Sequence, residues 1–296
     1  MSRNQKIREE ITNQIITALE SDSLPPWRRP WIFHRTGMPK NVVSGDLYTG
    51  VNPLLLGLAS ERHGFQSRHW GTFKQWQDLG GKVMRRPSHV PSGHWGTKIV
   101  FCKAVTKRKD HDEEETYFLL KTYTVFCIDQ IEGDHLDYLR VGHGNDTRNS
   151  ESVAYEEADA LIEATEADIR HGGNQAFYDL AQDYIQVPNR DQFSGTSYYQ
   201  VLFHEYVHWT ENSDRLNWDR EGNGYALGEL IAEIGACYLC SELGIPTNDE
   251  NHHAYLNSWL QKMKQDSSFI FQASSQASKA ADYIMSFSKK PVEVAG

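Results

Sequence analysis

The stretch VLFHEYVHWTENSDRL, residues 201–216, places His204 and His208 four apart around Glu205, among Val201, Leu202, Phe203, Tyr206, Val207 and Trp209. On a helix, positions four apart stand one turn above another, so both imidazoles can aim a ring nitrogen at one point about 2 Å away. A zinc ion at that point lowers the pKa of a bound water to about 7, and a neighbouring carboxylate can take the water's proton as it attacks a carbonyl. Glu205 is the residue in the position of that acid/base. The pattern needs a third protein ligand. Downstream, YALGELIAEIGA supplies Glu229 and Glu233, again four apart, on a helix whose apolar stripe is Leu227, Leu230, Ile231, Ile234 and Tyr238. Two carboxylates stacked on one helix face repel by a few tenths of a kcal/mol even when exposed, and a nearby cation removes that cost. The simplest assignment makes Glu229 the third ligand and gives Glu233 the free ring N–H of a ligand histidine. Two histidines and one glutamate leave the fourth position open for water, as in catalytic rather than structural zinc. To steady a developing oxyanion the sequence offers Tyr225, Tyr198 and Tyr199, and spacing does not choose among them. The competing account puts the glutamates on a solvated face and the histidines in a satisfied core; the two pairs occurring in this order weigh against it.

A different chemistry is written into the first half. From Met1 to Asp110 there are 18 Lys and Arg against 8 Asp and Glu, and beyond Asp110 there are 12 against 32, so the overall charge of −10 hides a basic half joined to an acidic one. Such a division suits a polyanion-binding module attached to something that need not touch the polyanion. In the basic half, tryptophans alternate with cations: Trp27, Arg28, Arg29, Trp31, Arg68, Trp70, Lys74, Trp76, Arg85, Arg86, Trp95 and Lys98. Flat rings that stack on unpaired bases, with cations that follow the backbone, are what sequence-tolerant single-strand binding requires. Part of the ring set must build the core of so small a module. WRRPW and RRPSHVPSGHW combine both residue types with proline in loops, where burying every ring is difficult. Nothing reads as a recognition helix for duplex DNA.

These residues need elements to hold them. Ile7, Ile11, Ile15 and Leu19 recur at steps of four and predict an amphipathic helix over residues 3–20, ended by the paired prolines of SDSLPPWRRPW. GDLYTGVNPLLLGLASERHG reads as a turn and a short helix, and RHWGTFKQWQDLGGKV as a second helix ended by Gly80 and Gly81. KVMRR, GTKIVFCKAV and ETYFLLKTYTVFCID carry strand composition, with a charged hairpin loop between the last two. This predicts a small α+β unit with an antiparallel sheet over residues 1–132. GDHLDYLRVGHGNDTRNS, residues 133–150, is polar and aperiodic, as a linker would be. The second unit, 151–296, opens with the helix ESVAYEEADALIEATEA, continues through a strand pair in NQAFYDLAQDYIQVP, and then carries the two metal-motif helices and further C-terminal helices. At 296 residues the chain accommodates two domains. No apolar run reaches the roughly 20 residues of a membrane helix and the N-terminus has no signal-peptide pattern, so a soluble, cytoplasmic protein without a membrane partner is expected. Four cysteines do not make a disulfide scaffold in such a chain, and Cys237 and Cys240, a lone C-x-x-C on a helix, read as buried thiols.

Taken together, YTGVNPLLL, GFQSRHWGTFKQWQDLGGKV, KTYTVFCIDQIEG, LFHEYVHWT, DRLNW and YALGELIAEIGA resemble the ArdC antirestriction proteins of conjugative plasmids over nearly the whole chain. The resemblance implies an N-terminal domain that binds single-stranded DNA and a mainly helical, zincin-like metallopeptidase domain after it. It also implies protection of incoming conjugative plasmid DNA from host restriction. Carried onto this chain, it makes His204, His208 and Glu229 ligands of Zn2+, or of another divalent metal such as Mn2+, with Glu205 as the catalytic acid/base. A host restriction protein or another DNA-bound protein would be the substrate or partner. The alternative is a non-catalytic single-strand-binding protein whose metal domain is structural or docks a partner. Relatives often carry a glycine just after the HWT turn; here that residue is Glu211, a departure that bears on the loop beside the metal.

Overall fold

The computed structural model describes residues 2–21, 37–108, 114–141, 151–218, 224–246 and 253–289. Trp27, Arg28, Arg29 and Trp31, and residues 142–150 of the expected linker, lie outside the described residues.

The first half begins with α1 (Arg3–Ser21), whose Ile7, Ile11, Ile15 and Leu19 are all buried. After β1 (Lys40–Asn41) comes α2 (Asn52–His63), which carries Pro53 in its first turn and stops at Gly64, where φ is 72°. A left-handed C-cap of this kind suits glycine. The segment expected to form one helix from His69 divides in two: β2 (His69–Thr72) and then α3 (Phe73–Asp78), with a capping box between Thr72 and Gln75. The physical reason is pairing: Trp70, Gly71 and Thr72 lie opposite Cys127, Phe126 and Val125. β3 is only Lys82–Val83, so most of KVMRR is not strand. β4 (Thr97–Arg108) and β5 (Glu114–Cys127) form the long hairpin, and β6 (Ile131–Glu132) pairs with β3. The main sheet runs β1-β2-β5-β4; it is antiparallel except for the parallel β1–β2 pair. Residues 134–139, at the start of the expected linker, instead form a 3-10 turn that buries Leu136 and Leu139.

The second half is α4 (Glu151–Thr165), a small sheet of β7 (Asp168–His171), β8 (Phe177–Asp179) and β9 (Tyr184–Val187), then helices α5 (Ser197–Trp209), α6 (Tyr225–Leu243), α7 (His253–Gln265) and α8 (Phe269–Met285). The expected pair β8 and β9 is present, and β7 joins β9 in parallel, giving the order β7-β9-β8. The architecture is α+β in two parts.

Two apolar clusters hold it together. The smaller lies inside the first half and contains Leu56, Trp70, Trp76, Val125, Ile128, Ile131 and Leu136. The larger runs from the isoleucines of α1 and Leu54 and Leu55 of α2 into Leu202 and Phe203 of α5, Leu230 and Ile234 of α6, and Trp259 of α7. Each such side chain, fully buried, contributes roughly 1.5–3 kcal/mol. Across the same junction Arg68 Nη2 donates to Glu242 at 3.0 Å, Met38 N donates to that carboxylate at 2.9 Å, and Tyr238 donates to the Gly50 carbonyl at 3.0 Å. The two parts of the sequence therefore share a core and a set of polar ties.

Within the second half, α5 and α6 pack face to face, and the contact is set by Gly235. A β-carbon there would stand 2.7 Å from Val207 Cγ2. Absence of a side chain lets α6 come close enough to bring Glu229 over the two histidines of α5.

Candidate metal centre

α5 lays Leu202, Phe203, Tyr206 and Val207 into the core, which leaves His204 and His208, one turn apart, facing α6. Their ring centroids are 5.0 Å apart. His204 Nε2 lies 3.6 Å from one oxygen of Glu229, and His208 Nε2 lies 3.6 Å from the other. Ligand atoms placed tetrahedrally at about 2.1 Å from a common ion are separated by about 3.4 Å, so the spacing fits one divalent cation. Two imidazole nitrogens and a carboxylate are also a donor set that zinc and manganese both accept. Burial pushes the Glu229 carboxyl up, and the imidazoles of His204 and His208 that face it outweigh this and hold it below the usual carboxylate range. Glu205 is buried beside the pair.

The ring nitrogens turned away from Glu229 have partners of their own. His204 Nδ1 is 3.9 Å from Glu233 Oε2, an ion-pair separation longer than a hydrogen bond. His208 Nδ1 donates to Glu211 Oε1, and both side chains are 2% exposed. The helix ends at Thr210, and the Glu211 amide donates to the His208 carbonyl at 2.8 Å, a turn that folds Glu211 back over His208. Trp218 stacks on the His208 ring, centroids 6.1 Å apart, and its indole N–H donates to Thr210 Oγ1 at 2.9 Å. Arg215 fixes the same loop through the Trp209 carbonyl and Asp183. Sequence reasoning assigned the carboxylate support to Glu233 and treated Glu211 as a departure; the signal that finds it is an acid three residues after a ligand histidine, where a helix is ending.

The candidate oxyanion stabilisers are engaged elsewhere. The Tyr198 hydroxyl is 3.0 Å from His171 Nε2, Tyr199 donates to Asp159 at 2.9 Å, and Tyr225, exposed one turn before Glu229, is 3.2 Å from the Tyr255 hydroxyl. Of the three, Tyr225 is the exposed one, on the same helix as Glu229, whereas Tyr198 and Tyr199 are buried on the helix of the histidines.

With this geometry in place, comparison with known proteins is informative. A family model for a zincin-like metallopeptidase matches residues 156–276, and one for the N-terminal domain of anti-restriction factor ArdC matches residues 5–126. The metal-free crystal structure of the antirestriction protein ArdC from plasmid R388 superposes with a TM-score of 0.75 at 35% identity, covering 95% of this chain and 97% of that one. The chain belongs to the ArdC antirestriction family. The Mn(II)-bound structure of the R388 protein gives a TM-score of 0.73 at 35% identity, with 96% and 98% covered. The uncharacterised protein y4eC of Sinorhizobium fredii (strain NBRC 101917 / NGR234) is 32% identical over 94% of this chain and 91% of its own length. A DNA primase TraC of Escherichia coli is 30% identical over 96% of this chain, which spans 27% of that longer protein.

On this ArdC-family fold the cations and rings read from the sequence separate sharply. Trp70 and Trp76 are fully buried in the smaller core, with the Trp76 N–H donating to the Phe126 carbonyl at 2.9 Å. Arg68 is buried against Glu242 and also donates to the Met38 carbonyl at 2.9 Å. These three cannot meet a nucleic acid strand in this fold: Trp70 and Trp76 are drawn into the smaller core from β2 and α3, and Arg68 is held by Glu242 and the Met38 carbonyl. Trp95 is half-buried against His63 and Phe65, its N–H donating to the Met84 carbonyl at 3.0 Å. Lys98 pairs with Glu10 at 2.6 Å on the surface. Lys74, Arg85 and Arg86 are exposed. Among the described residues of the first half, the rings that face outward are Phe73, Phe101, Tyr123 and Tyr138. Phe101 and Tyr123 meet edge to face, centroids 6.4 Å apart, with Phe101 directly opposite the exposed Lys121 in the hairpin register. The register that sets Phe101 opposite Lys121 and Ile99 opposite Tyr123 identifies this face, which the sequence of β4 alone does not.

Among the described residues no helix is long and apolar enough to cross a membrane.

Proposed function

We propose that this chain is an antirestriction protein that binds single-stranded DNA through its first half and, in its second, holds a divalent metal at a site able to hydrolyse a peptide bond. The observation that carries the reading is the approach of His204 Nε2 and His208 Nε2 to the two oxygens of Glu229, 3.6 Å each, with Glu205 buried beside them. His204, His208 and Glu229 would hold the ion, either Zn2+ or the Mn2+ seen in the R388 protein. When bound, such an ion supplies Lewis-acid activation of water and of a carbonyl. The chain's own contribution is then Glu205, which takes the proton of the attacking water and returns it to the departing amine, and Tyr225, whose hydroxyl can turn toward the developing oxyanion. A restriction or other DNA-bound protein on or near the strand is the proposed substrate.

The single-strand surface we infer is the outer face of the β4–β5 hairpin, with Phe101, Tyr123, Lys103 and Lys121, extended by the exposed Phe73, Lys74, Arg85 and Arg86. Stacking on such rings contributes about 1–3 kcal/mol per base and tolerates any sequence.

The test compares the wild-type chain with Glu205→Gln in transfer of plasmid DNA into a restricting host, beside oligothymidylate affinity in vitro. Removing a general acid/base lowers a rate by about 100-fold or more. Loss of protection with single-strand affinity unchanged is the expected result. Full protection by Glu205→Gln would overturn the hydrolytic reading and leave masking of the DNA as the activity.

A further inference from the structure

A cavity of 420 Å³ lies where the two halves meet, between α1, the turn before α2, the edge strand β4 and α8. Its walls are fixed from both sides. Gly50 N donates to Ser278 Oγ at 2.8 Å, and Asn52 bonds both the amide and the carbonyl of Val100, at 2.8 and 2.9 Å, which anchors β4 along the rim. A cavity with walls tied in this way is largely pre-formed, as ligand sites are.

Two cations line it, Arg8 from the first half and Lys279 from the second, and among the described residues neither has an acidic partner within ion-pair distance. Asp282 also lines it, leaving one positive charge in excess. The Nε of Arg8 is buried and has no hydrogen-bond acceptor among the described residues. A buried donor left without an acceptor is destabilising, so an anionic oxygen arriving there gains more than it would at an ordinary surface arginine. Val100, Phe101, Leu120 and Phe271 give the wall an apolar part beside the hydroxyls of Thr49, Ser275 and Ser278. Phosphate-seeking donors beside an apolar wall are the two requirements of a nucleotide. Phe101 of the outward ring pair itself lines this cavity, so a strand stacked on Phe101 and Tyr123 passes directly over its rim.

We propose that the cavity takes one nucleotide of a bound single DNA strand, its phosphate between Arg8 and Lys279. This rests on the single-strand reading above and adds a path: the strand leaves the basic half and reaches α8 of the acidic, metal-binding half. Lys279 is then a DNA ligand contributed by the half whose charge argues against one.

The chain carries its own reporter. Cys102 is exposed and lines the cavity, whereas Cys127, Cys237 and Cys240 are buried. Saturating oligothymidylate is expected to slow alkylation of Cys102 by a maleimide at least about tenfold, while duplex DNA of the same length at the same concentration, and inorganic phosphate, leave it unchanged. Arg8→Ala and Lys279→Ala, each folded by its unperturbed thermal transition, should weaken oligothymidylate binding about tenfold. Each should also flatten the slope of log affinity against log salt by about 0.7. An unchanged Cys102 rate at saturation, equal protection by duplex, or wild-type affinity in both variants would overturn the assignment. If the wild-type chain binds no oligothymidylate at all, the single-strand reading itself falls; if it binds and Cys102 stays reactive, only this cavity does.

Discussion

His208 is gripped on three sides: Glu229 faces its Nε2, Glu211 accepts from its Nδ1, and Trp218 covers its ring. A proton held on Nδ1 by a buried carboxylate leaves the Nε2 lone pair free and aimed, which is how outer carboxylates orient ligand histidines and raise their basicity. Glu211→Ala should therefore weaken metal binding about 10–100-fold, read by calorimetric titration with Mn2+ or Zn2+. Glu211→Gln, which still offers an oxygen to the ring N–H, should recover most of that loss. Wild-type affinity in the alanine variant would make Glu211 a mere loop residue. At this scale the sequence was legible where helical spacing sets the geometry: His204 and His208, one turn apart, are brought together with Glu229. Glu211 escaped because its role depends on where α5 stops and how the next turn folds back, which no periodicity encodes.

At the scale of elements, the site exists because α5 and α6 touch closely at one point. Gly235 meets Val207 where a β-carbon would be 2.7 Å from a methyl, so helix separation and ligand convergence are coupled. Gly235→Ala is expected to cost about 1–3 kcal/mol as overpacking, lowering the thermal midpoint, and to weaken metal binding as Glu229 is pushed from the histidines. Adding Val207→Ala should restore both, a non-additivity characteristic of neighbours. A stable single variant with unchanged metal affinity would contradict the coupling. The helices α1, α2, α5 and α6 followed from their apolar periods. HWGT did not, since four residues beginning a strand cannot be told from a helix start until β5 is there to pair with them. The same holds for β7, short and mostly exposed, which is a strand only because β9 lies beside it.

On the scale of the whole molecule, charge and core tell different stories. The basic and acidic halves read as separate modules from composition, and the two family models also fall on separate stretches, 5–126 and 156–276. Yet the isoleucine face of α1 is buried in the same apolar cluster as the metal-motif helices, and Arg68, counted from sequence as a DNA contact, is spent on Glu242 across the junction. Composition reports what a segment could bind, whereas only the packed structure says which side chains are left outside to do it. Trp70 and Trp76 make the same point, being core residues that look like stacking platforms in one dimension. The exposed rings of the first half and the candidate metal centre of the second thus stand on one shared core. Metal analysis of the purified full-length chain beside Glu229→Ala tests most directly whether His204, His208 and Glu229 together hold a divalent ion. One equivalent of Zn2+ or Mn2+ per wild-type chain, and almost none in the folded variant, is the expected result. Equal metal content in the two, or none in the wild type after incubation with either ion, would contradict it.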